Sequence, residues 1–153
     1  MALVQGISHV SILTSDLDRA VAFYCDVFRA ELVQLEATPY GGRIGIVRIG
    51  LGGAALNIFE VSDNAHTAGS SQILHRGHID HFGIAVGDAG SFWSLRDQVV
   101  VAGQSTGDVM DFGPVIGFDV TDPDGMIVEV NLVIDPALGG GHEPRPYEVP
   151  ALQ

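Results

Sequence analysis

The chain has 153 residues, 46% of them hydrophobic, and a formal net charge of −12, because 19 acidic residues stand against seven basic ones. This predicts a folded globular protein that forms one structural domain overall, and the negative charge, which repels phosphate backbones, argues against nucleic acid as a partner. The apolar runs are far shorter than the ~20 residues of a membrane span, no signal peptide is expected, and a single cysteine favours a cytoplasmic protein.

The first predicted module spans residues 1–70 and has the order β-α-β-β-β. Residues 6–14 alternate between apolar and polar side chains, as a half-buried strand does. Ser15 followed by Asp16 predicts a helix start. The apolar residues that recur at helical spacing after it are Leu17, Val21, Tyr24 and Phe28. Three strands punctuated by glycines are predicted at about 31–37, 43–49 and 54–61.

The second predicted module spans residues 71–134 and has the same order. A strand is expected at 78–86, and a helix that Asp88 opens is expected to run to about Ala102, with Gly103 as the first residue beyond its cap. The strands that follow are predicted at 105–109, 115–121 and 126–133.

Residues 135–153 form a tail rich in proline and glycine, which predicts no regular structure. The tail is expected to be either disordered or an extended arm on a partner subunit.

The two modules match under a shift of 72 residues, and no gap is needed in the sequence. Ile7-Ser8-His9-Val10 falls on Ile79-Asp80-His81-Phe82, Asp16 falls on Asp88, and Ile44-Gly45 falls on Ile116-Gly117. The matches sit at turns, at a helix start and at alternate strand positions, where a shared backbone constrains residue type. The fold class predicted is therefore α+β, with two tandem βαβββ modules.

Four polar residues occupy equivalent positions in this repeat. Asn57 follows His9 by 48 residues, and Glu129 follows His81 by the same 48. If the modules pair about a pseudo-twofold axis, these four positions converge. Two imidazoles and one carboxylate that leave coordination positions open suit a divalent metal ion, and Fe(II) oxygen chemistry is a familiar use of such a set.

The chain resembles the vicinal oxygen chelate superfamily, which includes glyoxalase I, methylmalonyl-CoA epimerase, extradiol dioxygenases, fosfomycin-resistance transferases and bleomycin-binding proteins. The segments that carry the resemblance, within about residues 5–134, are Gly6-Ile7-Ser8-His9-Val10, residues 16–24, residues 79–86 and residues 121–130. The resemblance implies that His9, His81 and Glu129 are metal ligands. It also implies paired, curved, mixed β-sheets enclosing the metal site, and a homodimer.

The departures from the family patterns bear on the reaction. Glyoxalase I and the epimerases have Glu or Gln where this chain has Asn57, a shorter neutral amide. Extradiol dioxygenases carry a Tyr where this chain has Asp119. Fosfomycin transferases hold a phosphonate with Lys and Arg, and the sequence around Glu129 contains neither, so that branch is rejected.

Four other residues have two interpretations each. Asp119 is either a general base facing the metal or a carboxylate hydrogen-bonded at a strand end. Tyr40 and Phe112 either stack on a substrate or pack in the core, and Asn57 is either a weak ligand or a hydrogen-bond donor to what binds there. Glu60 is expected on the solvated surface.

The leading functional prediction is an enzyme that binds a small oxygenated organic substrate by chelation to Fe(II), in a dioxygenase-type reaction, with Asp119 as base. Mn, Ni, Co and Zn stay open as the metal. One alternative is a glyoxalase- or epimerase-like isomerase or lyase. The other is a drug-binding protein of the bleomycin-resistance type, without catalysis, for which the acidic charge would attract a cationic ligand.

Overall fold

The structure is a computed structural model, and it describes residues 6–39, 41–63, 78–138, 141 and 143–148. Its helices and strands are, in chain order, β1 (His9–Thr14), α1 (Leu17–Phe28), β2 (Glu31–Ala37), β3 (Arg43–Arg48), β4 (Ala55–Glu60), β5 (His81–Val86), α2 (Ala89–Val101), β6 (Met110–Asp111), β7 (Val115–Thr121), β8 (Ile127–Val133) and β9 (Arg145–Pro146). The predicted α+β class and the repeated βαβββ order are confirmed. No helix in the described part of the chain is long and apolar enough to cross a bilayer.

The chain divides into two compact units. The first comprises Met1–Ser71 with the turn Pro123–Gly125, and the second comprises Gln72–Asp122 with Met126–Gln153. Each unit contains one mixed sheet, in the order β1-β4-β3-β2 in the first and β5-β8-β7-β6-β9 in the second. In both sheets the first strand of the module runs parallel to the last, and the remaining pairs are antiparallel.

In the first unit, α1 packs on one face of its sheet. Leu17 and Tyr24 on the helix are fully buried, as are Val47 and Ile58 on the strands. Alternation places the neighbours of these strand residues on the other face, which is only half-buried at Ile46 and Asn57. The helix therefore covers one face of the sheet and leaves the second face to other partners.

The ends of both helices follow from local chemistry. Asp16, rather than Ser15, caps α1, because its side chain accepts a hydrogen bond from the backbone N–H of Arg19. Asp88 caps α2 in the same way through Ser91. Two hydrogen bonds from Ser91 lower the pKa of the Asp88 carboxyl. Gly103 follows the last cap with φ +70°, a conformation that glycine adopts without strain, as predicted.

The turn Pro123–Gly125 is fastened to the first unit through Asp124. Its carboxylate accepts a hydrogen bond of 2.6 Å from the buried Thr14 hydroxyl and forms an ion pair of 3.0 Å with Arg19. Because only 7% of the Asp124 side chain is exposed, these contacts satisfy a carboxylate that would otherwise be costly to bury.

The prediction that the repeat needs no gap is wrong for the third strand of each module. β1 and β4 match β5 and β8 at an offset of 72, since Ser11 pairs with Asn57 as Gly83 pairs with Glu129. In β3 and β7 the offset is 73, because Asn57 lies opposite Ile46 whereas Glu129 lies opposite Asp119. The second module therefore has one residue more before its third strand and one residue fewer between its third and fourth strands.

Two predictions about irregular segments are also corrected. The strand expected at 105–109 is observed later, at β6. Residues 105–108 instead form local hydrogen bonds, in which the Ser105 hydroxyl accepts from the N–H of Gly107 and the Thr106 hydroxyl donates to Asp108. The tail is not wholly irregular, because β9 pairs with β6 and Arg145 forms a 3.0 Å ion pair with Asp111.

Glu60 was expected on the solvated surface, but its side chain is only 20% exposed. Arg43 donates two hydrogen bonds to the Glu60 carboxylate, at 2.8 and 2.9 Å, and two more to the exposed Asp18. The Glu60 carboxylate also accepts a hydrogen bond from the backbone N–H of Leu17, at the start of α1. Arg43 first, and this N–H second, lower the pKa of Glu60 to about 2.

This lowered pKa predicts a pH-dependent contribution to stability. A carboxyl whose pKa is lower in the folded state stabilises the fold above its unfolded pKa, and the contribution is lost as pH falls through the folded pKa. Glu60→Gln should therefore lower the melting temperature at pH 7, and the difference from the wild type should shrink between about pH 4.5 and pH 2.

Thermal melting of both proteins across this range checks the prediction, since general charge repulsion affects both alike. Asp18→Asn is the matched control, and it should change stability less because the Asp18 side chain is 73% exposed. The prediction would be contradicted if the melting temperatures of Glu60→Gln and the wild type differed by the same amount at pH 7 and at pH 2.

Candidate functional site

The second unit contains a cavity of about 680 Å³ on the sheet face that α2 does not cover. The α2 face of β8 is filled by Val128 and Val130, which are fully buried. The alternate residues of the same strand point into the cavity. The lining residues are His81, Thr106, Asp108, Met110, Phe112, Val115, Gly117, Phe118, Asp119, Ile127, Glu129, Asn131 and Pro144.

Two of the three predicted metal ligands meet in this cavity. His81 opens β5 and Glu129 lies on the neighbouring β8, so that His81 Nε2 is 3.9 Å from Glu129 Oε2. Both side chains are partly open, with 39% of His81 and 22% of Glu129 exposed. The pair is therefore accessible to a ligand that enters the cavity.

The hydrogen bond to the other ring nitrogen of His81 orients the imidazole. Nδ1 lies 2.9 Å from the ionised Asp80 carboxylate, which can only accept, so Nδ1 carries the hydrogen of this contact and Nε2 is the nitrogen that faces the cavity. The first unit repeats this contact, since the Ser8 hydroxyl lies 3.1 Å from Nδ1 of His9. A carboxylate or hydroxyl on the second nitrogen is the usual support of a metal-binding histidine.

Asn131 belongs to the site but was not among the predicted site residues. Its side-chain amide donates a hydrogen bond of 3.0 Å to Oε2 of Glu129. The signal in the sequence was a polar residue two positions after Glu129 in an otherwise apolar strand, which alternation places on the same face.

Asp119 and Phe112 line the same cavity as His81 and Glu129. Asp119 is directly opposite Glu129 in the β7–β8 ladder, so the two carboxylates are neighbours on one sheet face. The backbone carbonyl of Asp119 accepts a 2.6 Å hydrogen bond from Ser105, which fixes this part of β7.

The other predicted site residues are not in this cavity. His9 and Asn57 belong to the first unit, where Asn57 lies between Ser11 and Ile46 on the half-buried sheet face. Tyr40 lies outside the described residues. Within the described ranges, no group of three or more His, Cys, Asp or Glu side chains is placed to hold a metal ion.

The donor atoms of His81 and Glu129 are close enough to reach one divalent ion after a small side-chain movement. Two atoms that each bind an ion at about 2.1 Å lie roughly 3 Å apart at an octahedral angle and about 3.4 Å apart at a tetrahedral one. The 3.9 Å between Nε2 and Oε2 exceeds these spacings by less than about 1 Å. One imidazole and one carboxylate are ligands that Mn, Fe, Co, Ni and Zn all accept.

Comparison with solved structures shows the fold of the chain. A glyoxylase/bleomycin resistance protein/dioxygenase domain from Frankia sp. EAN1pec superimposes with a TM-score of 0.71 at 18% identity, covering 87% of this chain and 95% of that one. A glyoxalase/bleomycin resistance protein/dioxygenase from Alicyclobacillus acidocaldarius gives 0.58 at 18% identity, covering 85% and 92%. The fosfomycin resistance protein FosX from Listeria monocytogenes, complexed with Mn(II) and sulfate, gives 0.60 at 15% identity, covering 85% and 93%.

Comparison with curated proteins gives no match. A family model described as the Glyoxalase/Bleomycin resistance protein/Dioxygenase superfamily matches residues 6–130. This match covers both modules and ends just beyond Glu129. The chain therefore belongs to the glyoxalase/bleomycin resistance protein/dioxygenase superfamily.

Proposed function

We propose that this protein is a metal-dependent enzyme that binds a small oxygenated organic substrate by chelation to a divalent metal ion. The observation that carries the proposal is the placement of His81 Nε2 and Glu129 Oε2 in one cavity, with Asp80 fixing the ring of His81. His9 is the predicted third ligand, on the strength of its matched position and of its contact with Ser8.

Fe(II) is the metal that we propose first, because two histidines and one carboxylate that leave coordination positions open form the ligand set of Fe(II) oxygenases. Mn(II) is the nearest alternative, since a FosX structure of the same fold binds it. Ni, Co and Zn accept the same donors. When bound, such an ion would polarise the substrate oxygens and lower the pKa of the group that they belong to.

The cavity lining favours a substrate without a strong negative charge. The described lining residues include the carboxylates of Asp108, Asp119 and Glu129 but no arginine, and the chain has no lysine. A phosphonate would find no cationic side chain among these residues, which supports the rejection of the fosfomycin-transferase branch. Met110 and Phe112 provide apolar surface for the carbon skeleton.

Asp119 is the proposed proton acceptor. Its position opposite Glu129 places a second carboxylate beside the proposed ligand, within the cavity that would hold the substrate. A base at this position would take the proton of a chelated hydroxyl or of the adjacent carbon. We propose a dioxygenase-type reaction first. An isomerase or lyase reaction would use the same chelation and the same base without O₂.

The protein is expected to act as a homodimer in the cytoplasm. The superfamily resemblance supports the dimer, and the single cysteine, Cys25, suits a reducing compartment. Analytical ultracentrifugation of the purified protein measures whether it is a dimer.

The ligand assignment predicts the metal content of variants. His9→Ala, His81→Ala and Glu129→Ala should each remove most of the bound metal while the fold persists, because the strands depend on the buried apolar residues. Elemental analysis of protein purified without an affinity chelator is the measurement. His78→Ala is the matched control, since His78 does not line the cavity and its loss should leave metal content unchanged.

Full metal retention in all three ligand variants would refute the assignment. If only His9→Ala retained its bound metal, His9 would be removed from the proposed ligand set, and His81 and Glu129 would stay in it.

The role of Asp119 predicts a loss of turnover without a loss of metal. Asp119→Asn should reduce turnover by about 10²–10⁴-fold, because the amide cannot accept the proton. The assay is O₂ uptake and product analysis with a panel of catechols and α-hydroxycarbonyl compounds. Asp97→Asn, a change of the same kind on the exposed surface of α2, should behave as the wild type.

The panel also separates the reactions. Substrate consumption coupled to O₂ uptake supports the dioxygenase, and product formation without O₂ uptake points to the isomerase or lyase. Binding without conversion of any compound, together with an Asp119→Asn variant that binds equally well, would favour the drug-binding alternative.

A further inference from the structure

The side chain of Asn131 lies in a slot between two glycines on the strands that flank β8. A Cβ atom built on Gly83 would lie 2.9 Å from Asn131 Nδ2, and one built on Gly117 would lie 2.6 Å from Asn131 Oδ1. Both distances are shorter than real Cβ contacts, so any larger residue at either position would displace the amide. The two glycines therefore keep open the space that this conformation of Asn131 requires.

The slot fixes Asn131 against Glu129. The amide nitrogen donates a hydrogen bond of 3.0 Å to Oε2, which is also the oxygen nearest Nε2 of His81. The Glu129 carboxylate itself lies over the same glycines, with Oε1 at 3.4 Å from the Cβ position of Gly117. The hydrogen bond thus holds the carboxylate flat against the sheet and turned towards His81.

The first unit does not have this slot. At the corresponding register positions it has Ser11 and Ile44 in place of the two glycines and Phe59 in place of Asn131. The unit with the slot is the one that carries Glu129, whereas the first unit has the neutral Asn57 at the matched position. The slot is therefore present in the unit that has a carboxylate at this position and absent from the unit that has an amide.

We propose that Asn131 is a positioning residue that orients Glu129 for metal binding, and that Gly83 and Gly117 are required because they leave room for its amide. This inference rests on the proposed function of the cavity. It differs from a purely structural role because it predicts a coupling between Asn131 and Gly83 in metal affinity, at unchanged stability of the metal-free protein.

The experiment titrates the metal-free protein with Mn(II) chloride and measures free and bound Mn(II) by electron paramagnetic resonance. Asn131→Ala should weaken binding by about 10–100-fold, the usual effect of removing a partner of a metal ligand. Gly83→Ala should weaken binding in the same direction, because the methyl group displaces the Asn131 amide. The backbone of Gly83 is not in the left-handed region, so alanine adds no strain of its own.

The double variant provides the decisive comparison. In the Asn131→Ala background the added methyl of Gly83→Ala meets no amide, so it should change the Mn(II) affinity by less than about threefold, although the same substitution is harmful in the wild type. Gly87→Ala is the matched control at the end of the same strand, where a Cβ meets nothing within 4 Å. It should bind Mn(II) as the wild type does.

The outcomes separate the two proposals. If the wild type binds neither Mn(II) nor, in the same titration repeated anaerobically, Fe(II), the proposed function and this inference both fail. If the wild type binds Mn(II) and Asn131→Ala binds it equally well, or if Gly83→Ala is equally harmful with and without Asn131, only the positioning role is overturned. Thermal melting of the metal-free variants identifies a folding defect. If Asn131→Ala does not fold, the two glycine variants still test the role. The positioning role is then overturned if Gly83→Ala weakens Mn(II) binding no more than Gly87→Ala does.

Discussion

The structure depends on the constraint that one helix covers only one face of each sheet. Consecutive strand residues point to opposite faces, so the residues under the helix must be apolar and their neighbours are released for other uses. In β8 the buried residues are Val128 and Val130, and the residues released to the cavity are Glu129 and Asn131. A one-residue slip would exchange these sets and bury the carboxylate under α2. The apolar packing therefore fixes the geometry of the polar site.

The two units use the same register for different purposes. On the second sheet Asp119 is opposite Glu129, and the equivalent pair on the first sheet is Ile46 and Asn57. The second unit thus has two carboxylates at these positions of its open face, while the first has an isoleucine and a neutral amide. The two sheets share one topology, and the residues on their open faces make them chemically different. The proposed catalytic groups, His9 apart, lie in the second unit.

Patterns that depend on alternation, helical spacing and caps were predictable from the sequence, and they gave β7 at residues 115–121, the capping by Asp88 and the common strand face of Glu129 and Asn131. The features that were not predicted depend on which strands lie next to one another, which local patterns do not reveal. β6 is only two residues long, too short for alternation to mark it, and one of its two partner strands, β9, lies more than thirty residues away. The single-residue shift in β7 was not predicted, because Ile44-Gly45 and Ile116-Gly117 align without a gap in the sequence. Glu60 was misplaced because its partner, Arg43, lies on a neighbouring strand.

The same fold at 14–18% identity shows that the backbone tolerates almost complete replacement of side chains, so the chemistry must be argued from the residues on the released face. The two proposed metal ligands of the second unit, His81 and Glu129, have more favourable chemistry than the residues at the matched positions of the first unit, His9 and Asn57. His81 is held by a carboxylate, Asp80, which fixes the orientation of the ring, whereas His9 has only the Ser8 hydroxyl. Glu129 likewise brings a charge where Asn57 brings none. Because charge and ligand support coincide in one unit, we expect that unit to contribute most of the metal affinity.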